Sequence, residues 1–140
     1  MIAILSIKAK YVKEILNGNK KYEFRKASFK RDVRSILVYA TKPVGRIVCM
    51  LQVGDIIEDY PKVLWRDFNK FSGMDKKEFF AYFGNRDKGT AIEIKSVMEF
   101  SEQINPNELI PNFVAPQSWS YIPTELLNEY LLNNGWQIAA

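Results

Sequence analysis

Two near-continuous apolar runs, separated by only four residues, constrain the fold of this chain most strongly. They are Ser35–Ala40 (SILVYA) and residues 45–53 (GRIVCMLQV). Apolar runs of this length are typical of strands buried on both faces, or of strands in a small closed barrel. A connection as short as the one through Pro43 and Val44 indicates neighbouring strands in an antiparallel or mixed sheet.

The chain before these runs predicts a strand, a helix and a second strand. Ile2–Ile7 is apolar on both faces, which indicates a central strand. Ala9–Leu16 predicts a short helix that ends at Asn17 and Gly18. Its inward stripe is predicted to comprise Tyr11, Val12, Ile15 and Leu16. Residues 21–25 alternate, so Tyr22 and Phe24 point to one side of a strand and Lys21, Glu23 and Arg25 to the other.

The chain after these runs predicts mainly helices and one further strand. Residues 55–88 are interpreted as helical and irregular, with Asp55, Glu58 and Asp59 in a solvated turn and a capping box at Asp75 before a helix over 79–83. Residues 90–100 alternate like a strand and place four apolar residues on one face: Ile92, Ile94, Met98 and Phe100. Residues 105–111 are expected to form a loop, and Thr124 to cap a helix over 125–133 that ends at Asn134 and Gly135.

Together these elements predict an α+β fold. We expect four or five strands in an antiparallel or mixed sheet, preferably a partly closed β-barrel, with three or four short helices around it. The length of 140 residues fits one domain over residues 1–140, in which residues 123–140 form a C-terminal helical extension.

Charge is distributed unevenly along the chain. Residues 1–50 hold twelve Lys and Arg against three Asp and Glu, whereas residues 51–140 hold eight against thirteen. A basic half on one compact domain is expected of an anion-binding face, although a lysine-rich surface can also serve solubility alone.

Several classes of protein are excluded or disfavoured by composition. The absence of histidine removes Ser-His and Cys-His catalytic pairs and imidazole-based zinc sites. A single cysteine, Cys49, excludes an internal disulfide and is expected to be a buried, inert thiol. No apolar run is long enough to span a membrane, and the N-terminus does not resemble a signal peptide, so we expect a cytoplasmic protein with no membrane partner. No cofactor and no metal site are indicated.

The segment from Gly18 to Arg25 is the strongest candidate for a site. Lys20 lies at a turn, and Glu23 and Arg25 project from one strand face about 7 Å apart, given two residues of strand rise. The two cations suit a phosphate and the carboxylate suits the exocyclic amine of a base. The alternative is a surface strand with an ordinary Glu–Arg or Glu–Lys pair.

These residues also form a pattern that resembles the signature of the ASCH domain, a member of the PUA-like superfamily. The signature G-x-K-x-x-E-x-R occurs as Gly18, Lys20, Glu23 and Arg25, after a strand and a helix. The resemblance covers about residues 2–122. It implies a small PUA-like β-barrel with a cleft beside the first helix, proposed for the family to bind RNA or a nucleotide.

The resemblance implies that Lys20, Glu23 and Arg25 line this cleft and that Gly18 shapes its turn. Further predicted ligand contacts are Lys8, Gln117, Ser118 and Trp119. Trp119 and Tyr121 could stack on a base or form a lid that packs on the barrel.

The preferred function is an RNA- or nucleotide-binding module, with a regulatory role in RNA metabolism, transcription or translation as one form that this function can take. The alternative is a small metal-independent hydrolase of a modified nucleoside such as N4-acylcytidine, with Lys20 and Glu23 as its catalytic groups. The resemblance to that hydrolase branch is incomplete, because the branch has threonine at the position of Glu23. It also has a further glutamate before a later helix, where residues 71–74 of this chain (FSGM) contain none. Nuclease activity without histidine or metal is chemically possible and less favoured. A third interpretation is a regulatory domain whose basic face meets an acidic protein, and the oligomeric state is left open.

Overall fold

The fold is built around a six-stranded sheet that carries its helices on both faces. It was analysed in a computed structural model, which describes residues 1–135. The elements along the chain are β1 (Ile2–Ile7), α1 (Ala9–Leu16), β2 (Tyr22–Arg25), β3 (Ser35–Ala40), β4 (Arg46–Asp59), α2 (Pro61–Phe68), a 3-10 turn (Asn69–Phe71), α3 (Lys76–Phe83), β5 (Gly89–Ile104), α4 (Pro106–Leu109), β6 (Trp119–Ile122) and α5 (Thr124–Asn133).

The strands lie in the order β2-β5-β4-β3-β1-β6. The pairing of β1 with β3 is parallel and the other pairings are antiparallel. The sheet curls into a half-barrel, so the predicted α+β class and the partly closed barrel are confirmed. The sixth strand, β6, contains Trp119 and Tyr121 and is one more than the four or five strands that the sequence predicts.

Each face of the sheet has its own apolar core. Alternate residues of β1 and β3 point to opposite faces, which is why both strands are apolar throughout. The inner core lies under α1 and the outer core under α4 and α5, while α2 and α3 pack over the β2 end of the sheet around Phe79. Cys49 is fully buried in the inner core, and burial raises the pKa of its thiol to about 12, as expected of an inert cysteine.

Both long strands are longer than the sequence predicts. Asp55, Glu58 and Asp59 belong to β4 rather than to a turn after it, because β4 continues to Asp59 in pairing with β5. Of the apolar residues among them, Ile56 is exposed and Ile57 is half-buried, so this end of the strand lacks the apolar alternation by which a strand is recognised in the sequence.

The prediction that the apolar residues of β5 share one face of the strand is also wrong. Ile92 and Ile94 pack in the inner core, whereas Met98 and Phe100 pack in the outer one. Lys95 is an extra residue in the pairing with β4, and this bulge turns the second half of the strand over.

The helices differ from the predictions in three details. Only Val12 and Ile15 of the α1 stripe are buried, since Tyr11 is half-buried and Leu16 is 37% exposed. Residues 106–109 form the short helix α4 within the expected loop. Thr124 is the first residue of α5 rather than its cap. The predicted C-terminal extension, 123–140, includes residues 136–140, which lie outside the described residues.

Only one of the two hydrogen bonds of the predicted capping box forms at the start of α3. The side chain of Asp75 accepts a hydrogen bond of 2.7 Å from the backbone nitrogen of Glu78. The side chain of Glu78 does not return to the cap and instead bonds residues of α1. No helix in residues 1–135 has the length and apolar character needed to cross a membrane.

The cap at Asp75 leads to a first prediction. Replacing Asp75 with Ala leaves a backbone donor of α3 without its partner, and we expect the free energy of unfolding to fall by about 1 kcal/mol. Urea denaturation measures this change. The control is D75N, which keeps a side-chain acceptor and should remain within a few tenths of a kcal/mol of the wild type. An equal loss in both variants would contradict the assigned cap.

Candidate functional site

A cleft of about 750 Å³ opens at the gap left by the curled sheet. Its walls are the end of β1 and the first turn of α1, Lys20 with the last three residues of β2, one face of α3, and residues 115–117 before β6. Lys8, Lys20, Glu23, Arg25 and Gln117 all line it. The fold therefore brings five of the eight predicted site residues to one cavity.

Lys20 is held at the wall of the cleft by the segment before α3. Its side chain is 1% exposed and its Nζ donates a 2.7 Å hydrogen bond to the carbonyl oxygen of Ser72. The backbone at residue 73 approaches the Lys20 stem so closely that a Cβ there would lie 2.6 Å from the Cβ of Lys20, and Gly73 also has a φ of +65°. Only glycine meets both conditions, so Gly73 allows the amine to be enclosed.

Burial changes the acid–base properties of this amine. Removal from water lowers the pKa of Lys20, and the nearby Glu23 carboxylate, 3.6 Å from the Nζ, opposes that shift. The aromatic ring of Phe24 lies 5.0 Å from the same nitrogen and adds a favourable cation–π contact. The result is a cation whose proton is held less tightly than that of a surface lysine.

Glu23 and Arg25 form a buried ion pair. The Oε2 of Glu23 accepts a hydrogen bond of 3.0 Å from the Nε of Arg25, and the Nη2 of Arg25 lies 2.9 Å from the same oxygen. The two side chains were expected to lie about 7 Å apart on the strand face, and they instead fold together. The other carboxylate oxygen of Glu23, Oε1, faces Lys20 at the longer distance of 3.6 Å.

The guanidinium of Arg25 also joins two sides of the sheet. Its Nη2 donates to the carbonyl oxygen of Ser6 at 2.9 Å, and its Nη1 lies 3.4 Å from the carbonyl oxygen of Ser118. Four contacts thus occupy most of its donors, so Arg25 positions Glu23 rather than offering the free fork that the sequence suggested.

Two residues of the cleft were not singled out by the sequence analysis. The hydroxyl of Tyr11 donates to the Oε2 of Glu78, which also accepts from the Nζ of Lys10. These bonds lower the pKa of the Glu78 carboxyl to about 2. Burial and the adjacent carboxylate raise the pKa of Tyr11, so its hydroxyl remains a donor. Helical periodicity predicts Tyr11 on the inward stripe of α1, and the predicted capping box that starts at Asp75 ends at Glu78. Neither pattern indicates a contact between the two helices.

The remaining predicted residues lie near the cleft without lining it. Gly18 ends α1 with a φ of +86°, which fits its predicted role in the turn. Ser118 contributes only its backbone carbonyl to Arg25. The ring of Trp119 packs edge-on against Phe29 at 5.1 Å, half-buried against the inner core.

The chemistry available in the cleft follows from these contacts. Lys20 supplies a partly desolvated amine, Glu23 supplies an acceptor oxygen that Arg25 does not use, and Lys8 supplies an exposed cation. The half-buried ring of Tyr11 and the ring of Tyr82 provide flat apolar surface on the helix side. The set can hold an anion next to a planar polar group.

The Glu78 contacts generate a prediction about acid stability. Because the folded state holds the Glu78 carboxyl at a pKa of about 2, against an ordinary value of 4.5, its ionised form stabilises the protein above about pH 4.5. That contribution is lost as the pH falls from 4.5 towards 2. We expect E78Q to show a weaker fall in the urea midpoint across this range than the wild type, and Y11F to be intermediate. Identical pH profiles for wild type and E78Q would refute the assignment.

Comparison with known proteins places this chain in a family. The model of the ASCH domain family matches residues 5–111. The ASCH domain-containing ribonuclease of Zymomonas mobilis is 25% identical over 130 residues, which are 88% of this chain and 85% of the relative. A 77-residue stretch, 55% of this chain, is 30% identical to the large ribosomal subunit protein uL22 of Ureaplasma parvum and covers 24% of that protein.

Solved structures agree with this placement. The crystal structure of ASCH from Zymomonas mobilis has a TM-score of 0.85 to this chain, with 24% identity and coverage of 94% of both chains. A mutant of the same protein gives a TM-score of 0.84, with 23% identity, 91% of this chain and 94% of the other. At these identities the structural likeness establishes the fold. Since the family model spans most of the sequence, including all four signature residues, the chain belongs to the ASCH domain family.

Proposed function

We propose that this protein binds RNA, or a nucleotide-like ligand, with a nucleotide unit in the cleft. The observation that carries the proposal is the cluster of Lys20, Glu23 and Arg25, which is nearly buried in the wall of an open cavity. Burying ionised groups costs free energy, and such groups recur where they recognise or transform a ligand. The volume of the cleft falls within the range of roughly 300–1,000 Å³ that is typical of small-molecule sites.

The charges of the cluster favour an anionic ligand. With all three groups ionised, Lys20, Glu23 and Arg25 carry a net charge of +1, and Lys8 adds another cation at the rim, while the Glu78 carboxylate of the same cleft is paired with Lys10. A phosphate or another negative group of the ligand would balance this charge. The basic N-terminal half, which contains all of these residues, is consistent with the same partner.

The proposal gives each of the three residues a distinct role. Glu23 is the candidate acceptor for an exocyclic amine of a base through Oε1. Lys20 is the candidate partner of an anionic or carbonyl oxygen. Arg25 acts through Glu23 by fixing the orientation of its carboxylate.

The relative from Zymomonas mobilis, which is named a ribonuclease, supports RNA as the class of ligand. A regulatory role in RNA metabolism remains part of the proposal.

The first test of this proposal is a comparison of E23Q with the wild type. The substitution keeps the shape of Glu23 but removes its charge, and a ligand amine would lose a charge-assisted bond worth about 1.5–3 kcal/mol, or roughly tenfold or more in affinity. Calorimetric titration with the four ribonucleoside 5′-monophosphates measures the effect. The matched control is E58Q, an exposed carboxylate on β4 outside the cleft, which should leave affinity unchanged.

Thermal unfolding of each variant separates lost recognition from lost folding. The proposal fails if the folded wild type binds none of the monophosphates and no single-stranded RNA. It also fails if E23Q remains folded and binds a ligand as tightly as the wild type does.

Hydrolysis of a modified nucleoside is a second candidate, favoured by the lowered pKa of Lys20 beside a carboxylate. In this reaction the Glu23 carboxylate takes a proton from a water molecule as that water adds to the acyl carbon of N4-acetylcytidine, and the carbonyl oxygen gains negative charge next to Lys20. A proton carried by Glu23 then reaches the departing amine, the carbon–nitrogen bond breaks, and acetate and cytidine leave. No metal takes part in these steps.

Chromatographic detection of cytidine tests this second candidate. If it is correct, the wild type releases cytidine in the presence of EDTA, and K20M, which retains the aliphatic stem of the lysine, does not. E23Q would then lose turnover while it still binds the nucleoside. Release of no cytidine by the wild type would reject hydrolysis of this substrate and leave the binding proposal in place.

A further inference from the structure

The loop between β2 and β3, residues 26–34, carries a concentration of positive charge directly beside the cleft. We call it the basic loop. It holds four cations, Lys26, Lys30, Arg31 and Arg34, against one carboxylate, Asp32, which pairs with Arg34 at 3.3 Å. The other three cations are exposed and have no carboxylate within 4.0 Å among residues 1–135. None of the hydrogen bonds and ion pairs described above for the cleft involves these three cations.

Aromatic contacts hold the basic loop in place. Phe29 packs edge-on against Trp119 at 5.1 Å and lies 6.4 Å from Tyr121. The backbone nitrogen of Lys30 donates to the hydroxyl of Tyr121 at 3.1 Å, and the guanidinium of Arg31 lies 5.5 Å from the centre of the same ring. An anchored loop presents its cations at fixed positions, so less conformational entropy is lost when a ligand binds.

The basic loop is continuous with the cleft. It begins directly after Arg25, which lines the cleft, and the Nζ of Lys26 lies 5.0 Å from the ring of Tyr82, a residue of α3 that also lines the cleft. A chain that leaves the cleft on this side meets Lys26 first and then the exposed cations of the loop. The spacing of charges along a surface, rather than one pocket, suits a polymer of phosphates.

We propose that the basic loop binds the sugar–phosphate backbone of single-stranded RNA adjacent to the nucleotide held in the cleft. This inference rests on the proposed function and makes a polynucleotide, rather than a free nucleotide, the preferred ligand. An acidic protein segment fits the loop less well, because protein interfaces need an apolar centre. The one aromatic residue of the loop, Phe29, is already packed against β6.

The test compares short RNA with single nucleotides in the wild type and in K30E/R31E. Labelled oligouridine and oligocytidine hexamers and the matching 5′-monophosphates serve as probes, with affinity measured by fluorescence anisotropy and calorimetry over a range of salt. We expect the better hexamer to bind the wild type at least tenfold more tightly than its monophosphate. In K30E/R31E this advantage should be mostly lost while monophosphate affinity stays within about twofold. The slope of log affinity against log salt should become shallower by about 1.4, at roughly 0.7 for each single-strand phosphate contact.

The control is K62E/K70E, which makes the same change in net charge at two exposed lysines outside the cleft and the loop. It should retain nearly all of the hexamer affinity. The inference is overturned if the two double variants weaken hexamer binding equally, or if hexamer and monophosphate bind the wild type equally well. It is also overturned if a glutamate hexapeptide binds the loop and RNA does not. If hexamer and monophosphate bind equally well, the cleft still binds a nucleotide, so the proposed function survives although the inference about the basic loop fails. If the wild type binds no nucleotide and no RNA, both are rejected.

Discussion

The guanidinium of Arg25 connects parts of the sheet that are far apart in strand order. β2 lies at one end of the six strands and β6 at the other, yet Arg25 of β2 bonds Ser6 of β1 and contacts the carbonyl just before β6. β6 pairs with β1 only over Ile2 to Leu5, so at Ser6 the strand β1 forms the edge. The half-barrel is therefore bridged by a side chain where no strand pairing exists, and the cleft is the space beside this bridge.

The free-energy cost of burying the Arg25 guanidinium explains why acceptor groups surround it. A guanidinium removed from water needs an anion and several acceptors, and Glu23 and two backbone carbonyls supply them. Glu23 in turn lies between two cations. Its carboxylate is 2.9 Å from the Nη2 of Arg25 but 3.6 Å from the Nζ of Lys20, so its pairing with Lys20 is the weaker of the two. An anion arriving in the cleft would complete the pairing of Lys20 and raise its pKa again, so ligand charge and the protonation of this amine are reciprocally coupled.

Local patterns in the sequence were sufficient to predict most elements of this fold. The alternation of residues 21–25, the stop at Gly18 and the cap at Asp75 depend on neighbours within a few positions, and the structure confirms each of them. The bulge at Lys95 depends on how two long strands pair, which periodicity within one strand does not reveal. The contact between Tyr11 and Glu78 joins residues 67 positions apart. The signature indicated Lys20, Glu23 and Arg25, but their mutual pairing became visible only in three dimensions, because strand rise describes backbone spacing and long side chains can close that distance.

The turn that encloses Lys20 also affects whether a second copy of this chain can pair with the edge of the sheet. A strand at the end of a sheet exposes backbone donors and acceptors, on which a second chain can add as a further strand. At the start of β2 these groups are occupied, since Lys21 donates from its backbone nitrogen to the carbonyl of Phe71 and Lys20 bridges Ser72. The four-residue strand β2 leaves little edge beyond this point, and Arg25 follows at its end. The segment that places the amine in the cleft thus also shields this edge from intermolecular β-sheet extension, the first step of ordered aggregation.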